Sequence, residues 1–437
     1  MSKLKLGLAS IVAAGFVVGG LPYITKSSID SIISEKKNEL IDKGLDLKVT
    51  NHKGYFESQR DIEIKFTNTV KLLDYISNET QIDLETLNSL TKNGMIFNEI
   101  SFKGTVNNSN LFPSKVKVEL ILDQLPEDLQ NTMSENIHLK NFIKELQLNA
   151  HFNTEGQLIY VSLNDLVIQD KDIVAKILKP EMKIENNIYE TSIQNITFNL
   201  SKASEYLLVY FDGIKDKLIY TDDFNFEEKA KIETIKLHLK QQQRTSIEDL
   251  KYESSQNFLN TTMATKDNQV SINTDYIFND ITLDAKSLHT KIDKFALGIN
   301  MTNISEQPLR ILSDSFSDDY KLQQNLEPKL QEIINNGFSI NLNSHIKNIK
   351  NNNLSAKDIS IDLNMDIKKN DISKYANNAY ILQYIDIKGK ISLDNQTVTQ
   401  LSQTLPIGRY NTNVQKEKSI FDIKLEKNSF YINGKKL

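Results

Sequence analysis

Six histidines, His52, His138, His151, His238, His289 and His345, are the side chains best suited to proton transfer or metal ligation near neutral pH. No two of them show the HxH, HxxH or HExxH spacing that places a ligand pair on one strand or helix face, so the sequence assigns no metal site. His151, His238 and His345 fall near strand patterns, where a surface or hydrogen-bonded histidine is expected. There is no cysteine, which removes thiol nucleophiles, disulfides, iron–sulfur clusters and acylation of an N-terminal cysteine. Serine chemistry lacks its usual frame too: no GxSxG elbow occurs and no SxxK set with its partner motifs, and neither Ser201-Lys202 nor the Ser355 and Lys357 neighbourhood carries such geometry. Phosphate cradles need close-set glycines, and neither GxGxxG nor a P-loop is present. The adjacent acids Asp222-Asp223, Glu227-Glu228 and Asp318-Asp319 point different ways on a strand or helix and lack the EF-hand spacing. They read as solvated or helix-terminal charges. The expectation is therefore no catalytic residue, no metal ligand and no cofactor.

Composition bounds the remainder. The chain has 437 residues, 39% apolar and 25% charged, which suits a folded body rather than disorder. Its 52 basic and 57 acidic side chains are interspersed, giving a net charge of −5 and no single-sign field to gather nucleic acid.

Leu6 to Ile24 is uncharged, preceded by Lys3 and Lys5 and followed by Lys26. As a helix it would rise ~28 Å, close to the hydrocarbon thickness of a bilayer. The early lysines favour a cytoplasmic N-terminus, with everything after Lys26 on the far side. Gly7, Gly15, Gly19, Gly20 and Pro22 would weaken a helix in water more than one in lipid. A cleaved signal peptide is the alternative, with Val18-Gly19-Gly20 offering a site before Leu21. Pro22 right after that site and the apolar run to Ile24 argue for an uncleaved anchor.

Beyond the anchor, Ile29, Ile32, Ile33, Leu40 and Ile41 predict a helix over Ser28 to Lys43, stopped by Gly44. The period then changes to two: Leu45, Leu47, Val49; Ile62, Ile64, Phe66; Val116 to Leu122; Leu146 to Ala150, returning after Thr154-Glu155-Gly156 through Leu158 to Val161. Ile235 to Leu239, Ile359 to Ile367, and Ile423-Leu425 against Phe430-Ile432 repeat it. Such alternation predicts antiparallel sheet with one packed and one wetter face. Short helices are predicted near Leu84 to Leu90, Pro126 to Met133, Ser305 to Phe316, Pro328 to Asn335 with Gly337 as stop, and Val398 to Leu405.

A polar kink recurs between apolar strand halves, in Phe97-Asn98-Glu99-Ile100-Ser101-Phe102, Leu163-Asn164-Asp165-Leu166-Val167-Ile168, Ile193-Gln194-Asn195-Ile196-Thr197-Phe198 and Phe278-Asn279-Asp280-Ile281-Thr282-Leu283. Its irregular spacing excludes a solenoid and suggests a bulge device in a large twisted sheet. The densest apolar run outside the anchor, Tyr206 to Phe211, reads either as a strand buried on both faces or as the lining of an acyl-chain groove.

Gly54-Tyr55-Phe56-Glu57-Ser58, following the anchor and helix, resembles the YdgA-like family of uncharacterised bacterial proteins. Phe430-Tyr431-Ile432-Asn433-Gly434-Lys435 resembles that family's terminal strand, and Leu330 to Leu363 resembles the arrangement ahead of it. The resemblance implies a single-pass inner-membrane protein with the bulk of the chain in the periplasm, and no functional residues. The expected fold is β-rich α+β: an N-terminal transmembrane helix, then large twisted antiparallel sheet with a few short helices. The expected segments are 1–26 (stub and signal-anchor), 27–44 (juxtamembrane helix), 45–300 (β-rich region) and 301–437 (helix plus strands on the same body). The membrane, through Leu6 to Ile24, is the expected partner, with lipid or envelope proteins beyond it and no nucleic acid. The expected role is non-catalytic binding, scaffolding or lipid handling in the envelope. A secreted adhesin or ligand-binding protein released near Gly20, and a hydrolase with a site assembled from distant residues, are the alternatives.

Overall fold

The computed structural model describes residues 41–437 apart from 54–56, 69, 72–99, 110–115, 126–145, 154–156, 371–382 and short gaps at 170, 203, 223, 243–246, 287, 316–318, 353–354, 404–405, 411–412, 416, 427–428 and 437. The anchor, most of the Ser28 to Lys43 helix, the helices at Leu84 to Leu90 and Pro126 to Met133, and Gly54 to Phe56 lie outside the described residues. Among the described residues no helix is long and apolar enough to cross a membrane. Gly44 adopts φ 81° and its N–H donates to the Ile41 carbonyl at 3.0 Å, a helix stop that glycine takes without steric cost.

The described chain is mostly antiparallel sheet and divides into two compact units, with the boundary passing through strand β10 (Ile188–Lys202). The first unit holds β1 (Leu45–Lys53), β2 (Glu57–Phe66), β3 (Ser101–Ser109), β4 (Val116–Gln124), β5 (Gln147–Phe152) and β6 (Leu158–Leu163), each antiparallel to the next. β7 (Leu166–Gln169) and β8 (Ile173–Leu178) form a hairpin, and β9 (Glu181–Glu185) returns to β6. Period-two patterning decides this sheet. Val116, Val118, Leu120 and Leu122 of β4 are buried while Lys117, Glu119 and Ile121 between them are exposed. The register places Leu47, Ile64 and Phe102 in one row and Ile62, Gly104, Leu120 and Leu148 in the next, so the buried residues share a face. Burying each of the leucine, isoleucine and phenylalanine side chains in these rows is worth about 1.5–3 kcal/mol.

The second unit is a meander of unusually long strands: β11 (Glu205–Asp222), β12 (Asn225–Gln242), β13 (Ile247–Lys266), β14 (Gln269–Ala285) and β15 (Leu288–Ser305). At about 3.3 Å per residue a twenty-residue strand such as β13 runs some 65 Å. Helices α1 (Glu306–Ser315) and α2 (Asp319–Asn336) follow, then β16 (Phe338–Lys350), β17 (Ser355–Ile367) and β18 (Ile385–Asp394). After α3 (Asn395–Leu401), a 3-10 turn (Pro406–Tyr410) and β19 (Asn413–Gln415), β20 (Lys418–Glu426) pairs with β18. β21 (Ser429–Ile432) and β22 (Lys435–Lys436) finish the sheet. The turns follow residue chemistry. Asp267 and Asn268 take φ of 54° and 62° between β13 and β14, and Asn433-Gly434 takes 48° and 76° between β21 and β22, as tight hairpins require. Lysines on the last strand discourage pairing with another chain.

Helix α1 lies where the sequence predicts it, and Gly337 stops α2 with φ 79°. However, α2 starts nine residues before Pro328 rather than at it. Leu322, Leu326, Leu330 and Ile333 keep helical spacing through the proline, although Leu326 and Leu330 beside it are exposed. Helix α3 begins at Asn395, three residues before the predicted Val398, because Asp394 caps it. Thr397 N–H donates to Asp394 Oδ1 at 2.9 Å, and the Thr397 hydroxyl and Lys357 N–H donate to Oδ2 at 2.6 and 2.9 Å. Burial pushes the Asp394 carboxyl up, but these donors outweigh it and hold the group below its ordinary range. An Asp394→Ala variant is expected to lose about 2 kcal/mol in chemical denaturation at pH 7. A depressed acid stabilises above its unfolded pKa and loses that contribution as pH falls, so the deficit should narrow below about pH 4.

Candidate functional site

The second unit has one apolar and one polar sheet face, and the register traces both. Leu259 lies opposite Tyr276, Tyr276 opposite Leu297, Leu297 opposite Ser344, Ser344 opposite Ile361, and Ile361 opposite Ile391. Two residues along each strand the row is Thr261, Thr274, Ile299, Leu342, Leu363 and Gly389, and then Met263, Ile272, Met301, Ile340, Met365 and Ile387. Directly opposed residues in an antiparallel pair share a face, so these rows form one apolar surface at least six strands wide. The other face carries Asn260, Asp275, Asn343, Asp362 and Lys390 in one row and Asn273, Asn300, Asn341, Asn364 and Lys388 in the next. Asparagine recurs on this polar side of the sheet.

Among the described residues, helices pack on only parts of the apolar face. At one end Leu312 of α1 and Ile333 of α2 form a core with Phe224, Val270 and Ile304, against which Met263, Ile272 and Met301 pack. The Arg310 guanidinium lies 4.3 Å from the centre of the Phe224 ring. On β18 and β20, Leu393 and Phe421 pack with Val398 of α3, flanked by Ile359, Ile391 and Leu401. Between these clusters Tyr276, Leu297, Ile299, Leu342 and Leu363 belong to neither and stay half-buried.

A line of kinks crosses the long strands. Gly213, Gln256, Asp280 and Asn348 all have positive φ, between 47° and 60°. The register brings them into line: Glu233 of β12 falls between Thr234, paired with Ser255, and Ile232, paired with Asn257, and so faces Gln256. Asn279 Nδ2 donates to the Gln256 carbonyl at 2.6 Å, the Ser255 hydroxyl to Asp280 Oδ2 at 2.6 Å, and Asn348 Nδ2 to Asp293 Oδ2 at 2.6 Å. On β10, buried Asn195 donates to the Phe211 carbonyl at 3.1 Å, next to Gly213. β13 and β14 each place two residues against one here. Each bulge adds a residue, so Tyr252 and Leu259, or Tyr276 and Leu283, an odd number apart, keep the same face. The apolar positions change parity at this line, which extends the apolar face beyond it: Leu207, Leu239, Leu250, Ala285 and Leu288 form its far row.

Two of the four recurring polar motifs, at Asn195 and Asp280, sit on the kink line. Asn164-Asp165 instead separates β6 from β7, where Asn164 accepts from Gln147 N–H and Asp165 from Lys179 N–H, each at 2.8 Å. Residues 97–99 of the first motif lie outside the described residues. Tyr206 to Phe211 is half-exposed on both faces rather than buried on both; Leu207, Val209 and Phe211 join the apolar face opposite Leu239, Leu237 and Ile235.

Among the described residues, His151, His238, His289 and His345 do not converge. His238 Nε2 pairs with Asp249 at 2.9 Å and its ring meets Tyr206 edge-on at 4.7 Å; His345 Nε2 pairs with Asp358 at 2.7 Å; His289 pairs with Asp284; and His151 packs on Tyr160 at 5.0 Å. Lys418 joins Asp358 at 2.5 Å and, with His345, holds that carboxyl below its ordinary range despite partial burial. These are cross-strand pairs, the ordinary use of such residues in a sheet. Among the described residues no group of three or more His, Asp or Glu could hold a metal ion. Of the adjacent acids, Asp222 accepts from Phe224 N–H at 2.8 Å and from Asn225 Nδ2, which orders the β11–β12 turn, and Glu227 pairs with Lys229.

One acid pair escapes sequence reasoning. Leu218 lies opposite Glu228, and Asp216 precedes Leu218 by two, so Asp216 and Glu228 sit diagonally on the apolar face. Burial pushes both carboxyls up, and the charge on Asp216 pushes Glu228 further; Asp216 Oδ1 is buried with no hydrogen-bond partner. A carboxyl raised above its unfolded value costs stability only when ionised, so the cost appears as pH rises past about 4. Glu228→Gln should therefore raise Tm at pH 8 and change it little at pH 4. An equal shift at both pH values would show that ionisation of Glu228 is not the source. Compared with known proteins, the chain matches no family model, no curated protein and no solved structure.

Proposed function

We propose that the second unit binds the acyl chains of lipids along its apolar face, in a non-catalytic envelope protein tethered to the inner membrane by Leu6 to Ile24 with its bulk in the periplasm. The observation that supports this reading is the register, which lines up mostly apolar side chains over at least six strands, with no helix among the described residues covering the middle of the face. Half-buried apolar surface on this scale is uncommon on a soluble protein without a binding role. An acyl chain asks nothing of a protein beyond apolar contact, which suits a surface whose histidines are already paired. The tether and the periplasmic setting rest on the uncharged stretch with its leading lysines and on the resemblance to the YdgA-like family.

Native mass spectrometry of the full-length protein after mild detergent extraction tests the reading. Co-purifying phospholipid is the expected result, and a bare chain contradicts it. The same mass distinguishes an intact N-terminus from one beginning at Leu21.

A further inference from the structure

The apolar face carries two acids within the rows that run to its middle. Asp216 lies opposite Ala230, Ala230 opposite Leu259 and Leu259 opposite Tyr276, so Asp216 stands in the row of Tyr276 and Leu297. Glu228 stands in the next row, with Thr261, Thr274, Ile299 and Leu342. The two acids are diagonal neighbours on adjacent strands, about 7–8 Å apart at the backbone and closer at their side chains. Both are half-buried, and Asp216 Oδ1 is shut off from solvent with no hydrogen-bond partner.

The surroundings offer the pair no cation. Their neighbours on this face, Leu218, Phe226, Ala230, Leu259 and Thr261, do not titrate, while Lys215, Lys217, Lys229 and Lys231 alternate with them onto the polar face. β10 carries Tyr189, Glu190 and Lys202. On α1 and α2, Arg310 pairs with Glu306 and Lys329 with Glu332. Among the described residues, the one charge that acts on either acid is that of Asp216 on Glu228.

We propose that acyl binding at this face is coupled to protons: a chain laid across Asp216 and Glu228 is held while both carboxyls are protonated and released as they ionise. The inference rests on the acyl-chain reading, because the two acids occupy rows that this reading assigns to the ligand. A carboxylate covered by hydrocarbon loses its water and gains no partner, whereas a neutral carboxyl bears such cover at far smaller cost. Burial already pushes both groups above their ordinary values, opposed in part at Asp216 by the Lys217 N–H. A bound chain extends that burial, so binding takes up protons. Affinity is therefore greatest below the values the carboxyls have in the free protein. It falls as pH rises through them, by up to about tenfold per pH unit for each proton taken up.

The test uses full-length protein in an uncharged detergent, loaded with phosphatidylcholine, whose headgroup keeps the same charge at pH 5 and pH 8. After washing at either pH, the phosphatidylcholine retained per chain is measured by extraction and mass spectrometry. The wild type should retain about fivefold more or better at pH 5 than at pH 8. In the Asp216→Asn/Glu228→Gln double variant that ratio should fall to near one, and each single amide variant should lie between. Equal retention by the wild type at both pH values overturns the proposal and leaves acyl binding standing. So does an undiminished ratio in the amide variants, or a folded double variant without lipid at either pH. Wild type without phosphatidylcholine at both pH values removes the acyl-chain reading, and the proton coupling falls with it.

Discussion

A Gly104→Ala variant should lose about 3 kcal/mol or more of stability, seen as a lowered denaturant midpoint for the first unit. Gly104 stands between Ile62 and Leu120 in a buried row, and a Cβ there would lie 1.8 Å from the Glu119 carbonyl oxygen and 2.9 Å from Leu120 Cδ2. The nearest obstacle is backbone of the paired strand, so relief requires β3 and β4 to separate, which disturbs the register that buries Val106, Val118 and Ala150. A variant with the wild-type midpoint would mean that the strands do not approach this closely.

The second large effect is functional. Leu342 lies opposite Ile299 on one side and Leu363 on the other, in the half-buried middle of the apolar face. Leu342→Asp puts a carboxylate where an acyl chain would lie, and desolvating it opposes binding. Retained phospholipid should fall about tenfold or more, corresponding to ~1.4 kcal/mol or more. Asn343→Asp, one residue along and on the solvated face, should retain lipid like the wild type. Equal loss in both variants would tie the effect to stability or net charge rather than to the face.

Period-two patterning made the sheets legible where burial alternates residue by residue, as in β4 and β5, and less so in strands such as β8, whose residues are all half-buried. Helices were legible where a cap or glycine marks them, as at Gly337, and misplaced where a proline suggested a start that the leucine spacing of α2 runs through. Composition alone cannot tell a strand buried on both faces from one half-exposed on both, and so Tyr206 to Phe211 read more buried than it is. The kink line was visible at Asn195 and Asp280, whose residue types tolerate unusual backbone, but not at Gln256, where nothing in the side chain announces a left-handed conformation. Asp216 with Glu228, and His345 with Asp358, become neighbours only through register, which a single sequence does not display. α1 and α2 sit between β15 and β16, yet those strands pair directly through Met301 and Ile340. The helices are therefore an insertion within one unit, and residues 301–437 share that unit with 195–300.

Photocrosslinking tests the claim at the centre of this account most directly. The full-length protein would be reconstituted with a phospholipid bearing a diazirine in its acyl tail, irradiated and digested, and the adducts mapped by mass spectrometry. Adducts are expected on peptides of β14 to β17, at residues such as Tyr276, Leu297, Leu342 and Leu363. Adducts confined to residues 6–24, or spread equally over Asn343 and Asp362 on the polar face, would contradict it.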